Sequence, residues 1–239
     1  MGPEVANRYD RRNSRVLTRY MARNADFTAR VVIDTPTAPW IASPEPGVER
    51  KQLDRIGDEV ARATSIVRYA PGSAFASHEH VLGEEFLVLA GTFADEYGEY
   101  PVGTYVRNPP GSRHRPFSAS GCELFVKLRQ FQSGDVSRVV ADTRSAEWYT
   151  GLVPGLTVLP LHEFGSEHVA LVRWAPGTRF QAHTHWGGEE ILVLAGVFSD
   201  NLGDYPTGTW IRSPHLSRHD PFSEPGCLIY VKVGHLSAA

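Results

Sequence analysis

The chain has 239 residues, a formal net charge of -3, 21% charged residues and 41% hydrophobic residues. This is the balance of an ordinary globular protein, long enough for one large domain or two small ones, and it lacks the basic excess that wraps nucleic acid. No run approaches the roughly 18 apolar residues of a membrane helix and no apolar stretch follows the N-terminal charges, so the expectation is a cytoplasmic protein with neither a nucleic-acid nor a membrane partner.

Residues 1–35 carry Arg8, Arg11, Arg12, Arg15, Arg19, Arg23 and Arg30 against few acids. Val16, Leu17, Tyr20 and Met21 stand at near-helical spacing, which suits a short amphipathic helix or an arm packed on another copy of the chain. That arm is the route by which a homo-oligomer is expected. Otherwise the segment reads as a solvated extension. From Thr35 to Gly47, Pro36, Pro39, Pro44 and Pro46 forbid a regular helix and mark an extended entry into the first module, expected over 36–143.

Within that module short β-rich runs alternate with Gly and Pro punctuation. The expected strands are Ser65–Tyr69, Phe75–His80, Glu85–Phe93, Thr104–Arg107, Arg115–Phe117 and Glu123–Leu128. Runs this short and this regularly interrupted predict an antiparallel barrel or jelly roll. The second module, expected over 144–239, repeats the plan with Ala170–Trp174, Phe180–His185, Glu190–Phe198, Thr209–Arg212 and Leu228–Val233. Residues 68–127 and 173–232 match without a gap at 34 of 60 positions, an offset of 105. Upstream, Trp40 and Val48–Leu53 correspond to Trp148 and Leu156–Leu161. The chain is therefore read as all-β, two tandem barrels related by a pseudo-twofold axis.

The repeat carries chemistry. His78, His80, Glu84 and His114 recur as His183, His185, Glu189 and His219. Alternate side chains of a strand share a face, so His78 and His80 project together while Glu79 points away. Glu84 follows across the Gly83 turn, and His114 arrives on the hairpin after Pro109-Pro110-Gly111. Three imidazoles and a carboxylate converge only if the sheet curls, as a small barrel does.

These residues resemble the two motifs of the cupin superfamily. G-x5-H-x-H-x3-E-x6-G is met by Gly72, His78, His80, Glu84 and Gly91, and by Gly177, His183, His185, Glu189 and Gly196. G-x5-P-x-G-x2-H is met by Gly103, Pro109, Gly111 and His114; in the second half Gly208, Pro214 and His219 hold the register, but Leu216 replaces the turn glycine, so that loop is expected to differ in shape. R-Y-A-P-G, G-E-E, L-V-L-A-G-x-F-x-D and G-x-Y-P-x-G-T resemble the ChrR-like cupins in particular. The resemblance spans about Trp40 to Val233. It implies two jelly-roll (double-stranded β-helix) barrels, each with the quartet as metal ligands.

Three neutral imidazoles and one carboxylate suit one divalent cation per module, zinc or iron first, with manganese, nickel and cobalt admitted. Phe86, Val88, Ile191 and Val193 share the parity of the ligand glutamates and are expected to line the cavities. Trp186, with His215, is expected to narrow the second. Arg113 and Arg218, next to the last histidines, are candidates for contacting an anionic ligand or are solvated. Glu85 and Glu190 should point away from the metal into strand-end bonds or salt bridges, and Lys127 and Lys232 read as structural. Cys122 and Cys227 have no C-x-x-C partner and read as small buried hydrophobes.

A mostly apolar pocket with one charged focus suits a small-molecule ligand or substrate. The reading adopted is a metal-dependent dioxygenase-type enzyme acting on an enolisable carbonyl or aromatic ketone, with no residue identifiable as a general base. The alternative, implied by the ChrR-like resemblance, is a zinc-binding sensing or regulatory cupin of the anti-sigma kind. Residues 1–60 contain no His or Cys for the accompanying zinc domain, which disfavours the full anti-sigma role. A storage protein would be expected to have lost one of the quartets.

Overall fold

The computed structural model describes residues 22–58 and 60–236. All regular elements among them are β-strands, and among these described residues no helix is long and apolar enough to cross a membrane. The helical or arm reading of Val16, Leu17, Tyr20 and Met21 lies outside the described residues.

Each module is a curled antiparallel sheet. In the first, strands run in the order Ala22–Arg23, Val48–Ile56, Arg62–Tyr69, Cys122–Leu128, Glu84–Asp95, Thr104–Asn108 and Val139–Asp142. The second repeats this order as Tyr149–Thr150, Leu156–Phe164, Glu167–Trp174, Cys227–Val233, Glu189–Asp200, Thr209–Ser213 and Val31–Asp34. The long strands Glu84–Asp95 and Glu189–Asp200 bend midway. A bulge falls opposite Glu123/Leu124 in one and at Val193/Ala195 in the other, and beyond it each strand pairs with the short hairpin strand at Gly98–Pro101 or Gly203–Pro206 instead. That bend closes the barrel. Gly91 and Gly196 sit at it with φ of 68° and 74°, and a Cβ there would lie 2.1 and 2.0 Å from the carbonyl oxygens of Gly121 and Gly226. Only glycine fits both the backbone and the space.

The leading strands are exchanged. Val31–Asp34, ahead of the first module, pairs with Thr209–Ser213 of the second, while Val139–Asp142, ahead of the second, pairs with Thr104–Asn108 of the first. Each module thereby covers an edge that its sibling would leave open. This corrects the reading of residues 22–35 as a solvated extension: they contribute strands to both sheets, Ala22–Arg23 pairing with Arg55–Ile56 as well. Four residues are too few for periodicity to announce a strand when its partner is 175 to 181 positions away.

Period-2 alternation sorts the core into three parts. Phe86, Val88, Val106, Leu124 and Val126 fill the first barrel, and Ile191, Val193, Ile211 and Ile229 fill the second. Their strand neighbours Leu87, Tyr105, Phe125, Leu192, Trp210 and Tyr230 face outward from each barrel and form one cluster between the modules. By the same alternation Glu84 faces inward and Glu85 faces the interface. Glu85 meets Arg107 and Lys232 there, and Glu190 meets Lys127, all buried. The sequence reading of salt-bridge duty for the glutamates thus takes the form of ion pairs buried between modules.

Candidate metal centres

In the first module His78–His80 and Ser112–His114 pair antiparallel, placing His78 opposite His114. The Nε2 atoms of His80 and His114 are 2.9 Å apart. Glu84, entering from the next strand, places a carboxylate oxygen 3.4 Å from His80 and 3.6 Å from His114. The second module reproduces this: 2.9 Å between His185 and His219, and 3.4 and 3.7 Å from Glu189 to them. In each triad, one ligand atom from each of the three histidines lies within 4.8 Å of the others, close enough to hold one ion.

In two histidines of each triad the other ring nitrogen is tied back. His78 Nδ1 is 3.0 Å from the Ala76 carbonyl and His183 Nδ1 is 2.9 Å from that of Gln181. His114 Nδ1 is 3.1 Å from Asp95, and His219 Nδ1 is 3.3 Å from Asp200. Each acceptor fixes the tautomer in which Nδ1 carries the proton and Nε2 offers its lone pair to the centre. Asn108 donates to Glu84 at 3.1 Å. Asp95 and Asp200 were missed in the sequence reading, although the repeated L-V-L-A-G-x-F-x-D run ends on them. A carboxylate repeated at the same place in both copies was the available signal.

Burial lowers His80, and takes His185 down to about 3, so both rings are neutral and ready to bind a cation. Burial also opposes the charged His114 and His219, but their hydrogen bonds to Asp95 and Asp200 outweigh it and raise both. The glutamates differ. Burial pushes Glu189 up to about 7, whereas for Glu84 the attraction of the His80 and His114 rings and the hydrogen bond from Asn108 outweigh burial and hold the carboxyl below its usual range.

Beside the first quartet lies a cavity of about 350 Å³, with Tyr69, Phe75, Leu124 and Val126 among its apolar walls. Beside the second is one of about 170 Å³, where Trp174 takes the place of Tyr69. Phe86, Val88, Ile191 and Val193 point inward as alternation requires, but they belong to the packed core and wall neither cavity beside the quartets. Arg113 is exposed and pairs with Glu79 at 3.2 Å on the outer side of the His pair, and Arg218 is likewise exposed. Both alternate away from His114 and His219 and line neither cavity. Trp186 is 73% exposed and meets His215 edge-on at 4.7 Å, in a separate hollow rather than the second cavity. Leu216 also departs from expectation: its φ of 63° follows the 82° of Gly111, and its N–H bonds to His185 as Gly111's does to His80, each at 2.9 Å. The loop keeps its shape, with a leucine in a left-handed conformation.

The model of the ChrR cupin-like domain matches residues 28–132 and again 136–237. The chain belongs to the ChrR cupin-like family. Its solved structural relatives include a candidate dioxygenase from Nostoc punctiforme PCC 73102, 16% identical with a TM-score of 0.72 over 89% of this chain and 85% of that one. Oxalate decarboxylase from Lactobacillus farciminis, solved with formate, is 12% identical with a TM-score of 0.60 over 87% of each chain. The Bacillus subtilis oxalate decarboxylase, described with Mn(II) centres, is 13% identical with a TM-score of 0.57 over 87% of this chain and 78% of that one. At these identities the likeness is one of fold, and it makes this ChrR-like chain a two-barrel cupin. No match is found among curated protein sequences.

Proposed function

We propose that each quartet holds one divalent cation and that the protein is a metal-dependent dioxygenase-type enzyme acting on a small enolisable carbonyl or aromatic ketone. The observation that carries this is the convergence of three imidazoles and one carboxylate in each module, beside a cavity with apolar walls in the first. Held by such a set, a tetrahedral ion would be filled, whereas an octahedral one would keep two of its six positions for further donors.

A cation so held would supply Lewis-acid polarisation of a carbonyl oxygen. The chain does the rest. Asp95 and Ala76 fix the imidazoles, Asn108 orients Glu84, and Tyr69, Phe75, Leu124 and Val126 give the adjoining cavity its apolar walls. The net charge of cation plus quartet is near +1, which favours an enolate over the neutral ketone. Iron suits oxygen chemistry, and the Mn(II) of the Bacillus relative shows that this fold also carries manganese.

The test is metal content by mass spectrometry on anaerobically purified protein, followed by oxygen uptake with a panel of β-diketones and hydroxylated aryl ketones. Iron at one per module with uptake supports the reading. Stoichiometric zinc without uptake replaces it with a sensing function.

A further inference from the structure

The two quartets are alike, but the walls beside them are not. Arg50, Arg55 and Arg129 line the first cavity, with Glu45, Glu79 and Glu84 as its acids. No lysine or arginine lines the second, whose acid is Glu189. Strand register gives the counterparts. Arg50 pairs with Val67 as Val158 does with Val172, and Arg55 pairs with Ala63 as Glu163 does with His168. Arg129 falls at Gly234, 105 positions on. Three cations in one copy are thus a valine, a glutamate and a glycine in the other.

Arg129 is the most telling of the three. Its φ is 59°, against 74° for Gly234, and the two N–H groups donate to the matching carbonyls of Gly83 and Gly188 at 2.9 and 3.1 Å. The fold demands a left-handed residue here, which glycine supplies freely and arginine only at a cost of about 1 kcal/mol. Strain of this kind clusters at active sites and ligand clamps. Arg50 is engaged with Ser43 at 2.7 Å and Arg55 with the Gly57 carbonyl at 3.2 Å, whereas the Arg129 guanidinium makes no hydrogen bond or ion pair among the described residues. It is half-buried on the wall of a cavity that also reaches His78, His80 and Glu84.

We infer that the first module selects a small organic anion, an enolisable ketone whose far end carries a carboxylate received by Arg129, and that the second module does not. The cavity sizes agree: about 350 Å³ in the first module and about 170 Å³ in the second, against a lower bound of roughly 300 Å³ for organic-ligand sites. The inference rests on the proposed metal-dependent reading for the ketone end of the ligand, and on Arg129 for the other.

Two probes separate these ends: heptane-2,4-dione, and 4,6-dioxoheptanoate, in which a carboxylate replaces the terminal methyl group. Anaerobic calorimetry on the metal-loaded full chain should show 4,6-dioxoheptanoate binding at one equivalent and at least about tenfold more tightly than heptane-2,4-dione, the worth of one charge-assisted contact. In Arg129→Gly, which gives the first module the residue its sibling has, the anion should fall to the affinity of the dione while the melting temperature holds or rises. Equal affinities in the wild-type protein, two anion equivalents, an affinity that Arg129→Gly leaves unchanged, or no binding of either probe would each overturn the inference. The function proposed above fails separately. An Arg129-dependent anion preference without oxygen uptake would retain this inference and remove the dioxygenase, and uptake on heptane-2,4-dione without anion preference would do the reverse.

Discussion

Lys127 of the first module and Glu190 of the second form an ion pair of 2.5 Å with each side chain 1% exposed, and the repeat returns it as Lys232 with Glu85 at 2.8 Å. Each glutamate directly follows a quartet glutamate, so one strand residue faces the metal centre and the next holds the sibling module. The carboxyls stay ionised: burial pushes them up, but Lys232 and Arg107 bring Glu85 down to about 2, and Lys127 with His235 takes Glu190 well below its usual value. Desolvation offsets most of the attraction in buried pairs of this kind, so their net contribution to stability is small even where breaking one is costly.

Breaking one side should be costly. Lys127→Ala leaves Glu190 buried with Trp210 and His235 as its remaining partners, and an expected loss of about 3–5 kcal/mol follows. Urea unfolding measures it. A double replacement, Lys127→Met with Glu190→Gln, should recover part of that loss, and additive losses would show that the two residues do not act as a pair.

Leu216 offers a change of opposite sign. Its side chain is 53% exposed and its backbone is left-handed, so Leu216→Gly should stabilise the protein by about 1 kcal/mol. A fall in melting temperature would contradict the assignment of strain there.

What could be read from the sequence was local. The parity of His78, His80 and Glu84 follows from strand alternation within a few residues, and the duplication doubled the signal. The same alternation assigned Glu85 outward, but its partners Lys232 and Arg107 come from strands brought together by the pseudo-twofold packing, which no local pattern encodes. The exchanged strands Val31–Asp34 and Val139–Asp142 were invisible for the same reason. Arg113 and Trp186 were expected near the ligand on sequence proximity, and alternation turned both outward.

Acidity should distinguish the two centres. Glu189 is raised from 4.5 to about 7 by burial, so the metal-free folded state binds an extra proton between those values, and this group's contribution to stability falls as pH rises through that window. A cation must displace that proton, so affinity at the second module should drop about tenfold per unit below pH 7 from this group alone. Glu84, already held low, imposes no such penalty, and His114 and His219, both raised, affect the two modules alike. Dialysis at stepwise lower pH should strip the second module first, and earlier loss from the first would refute the assignment.

Cys122 and Cys227 are free, buried and pushed up to about 11 by burial. Neither should react with a thiol reagent at pH 8 in the folded protein, and both should react in urea. Rapid labelling of the native state would contradict the packing described.

The most direct test of the account is the metal count of the wild-type protein beside that of His78→Ala, taken by mass spectrometry after identical loading and desalting. One cation per module in the wild type, with loss from the first module alone in the variant, is the predicted result. A wild type that retains no cation, or a single substitution that empties both modules, would contradict it.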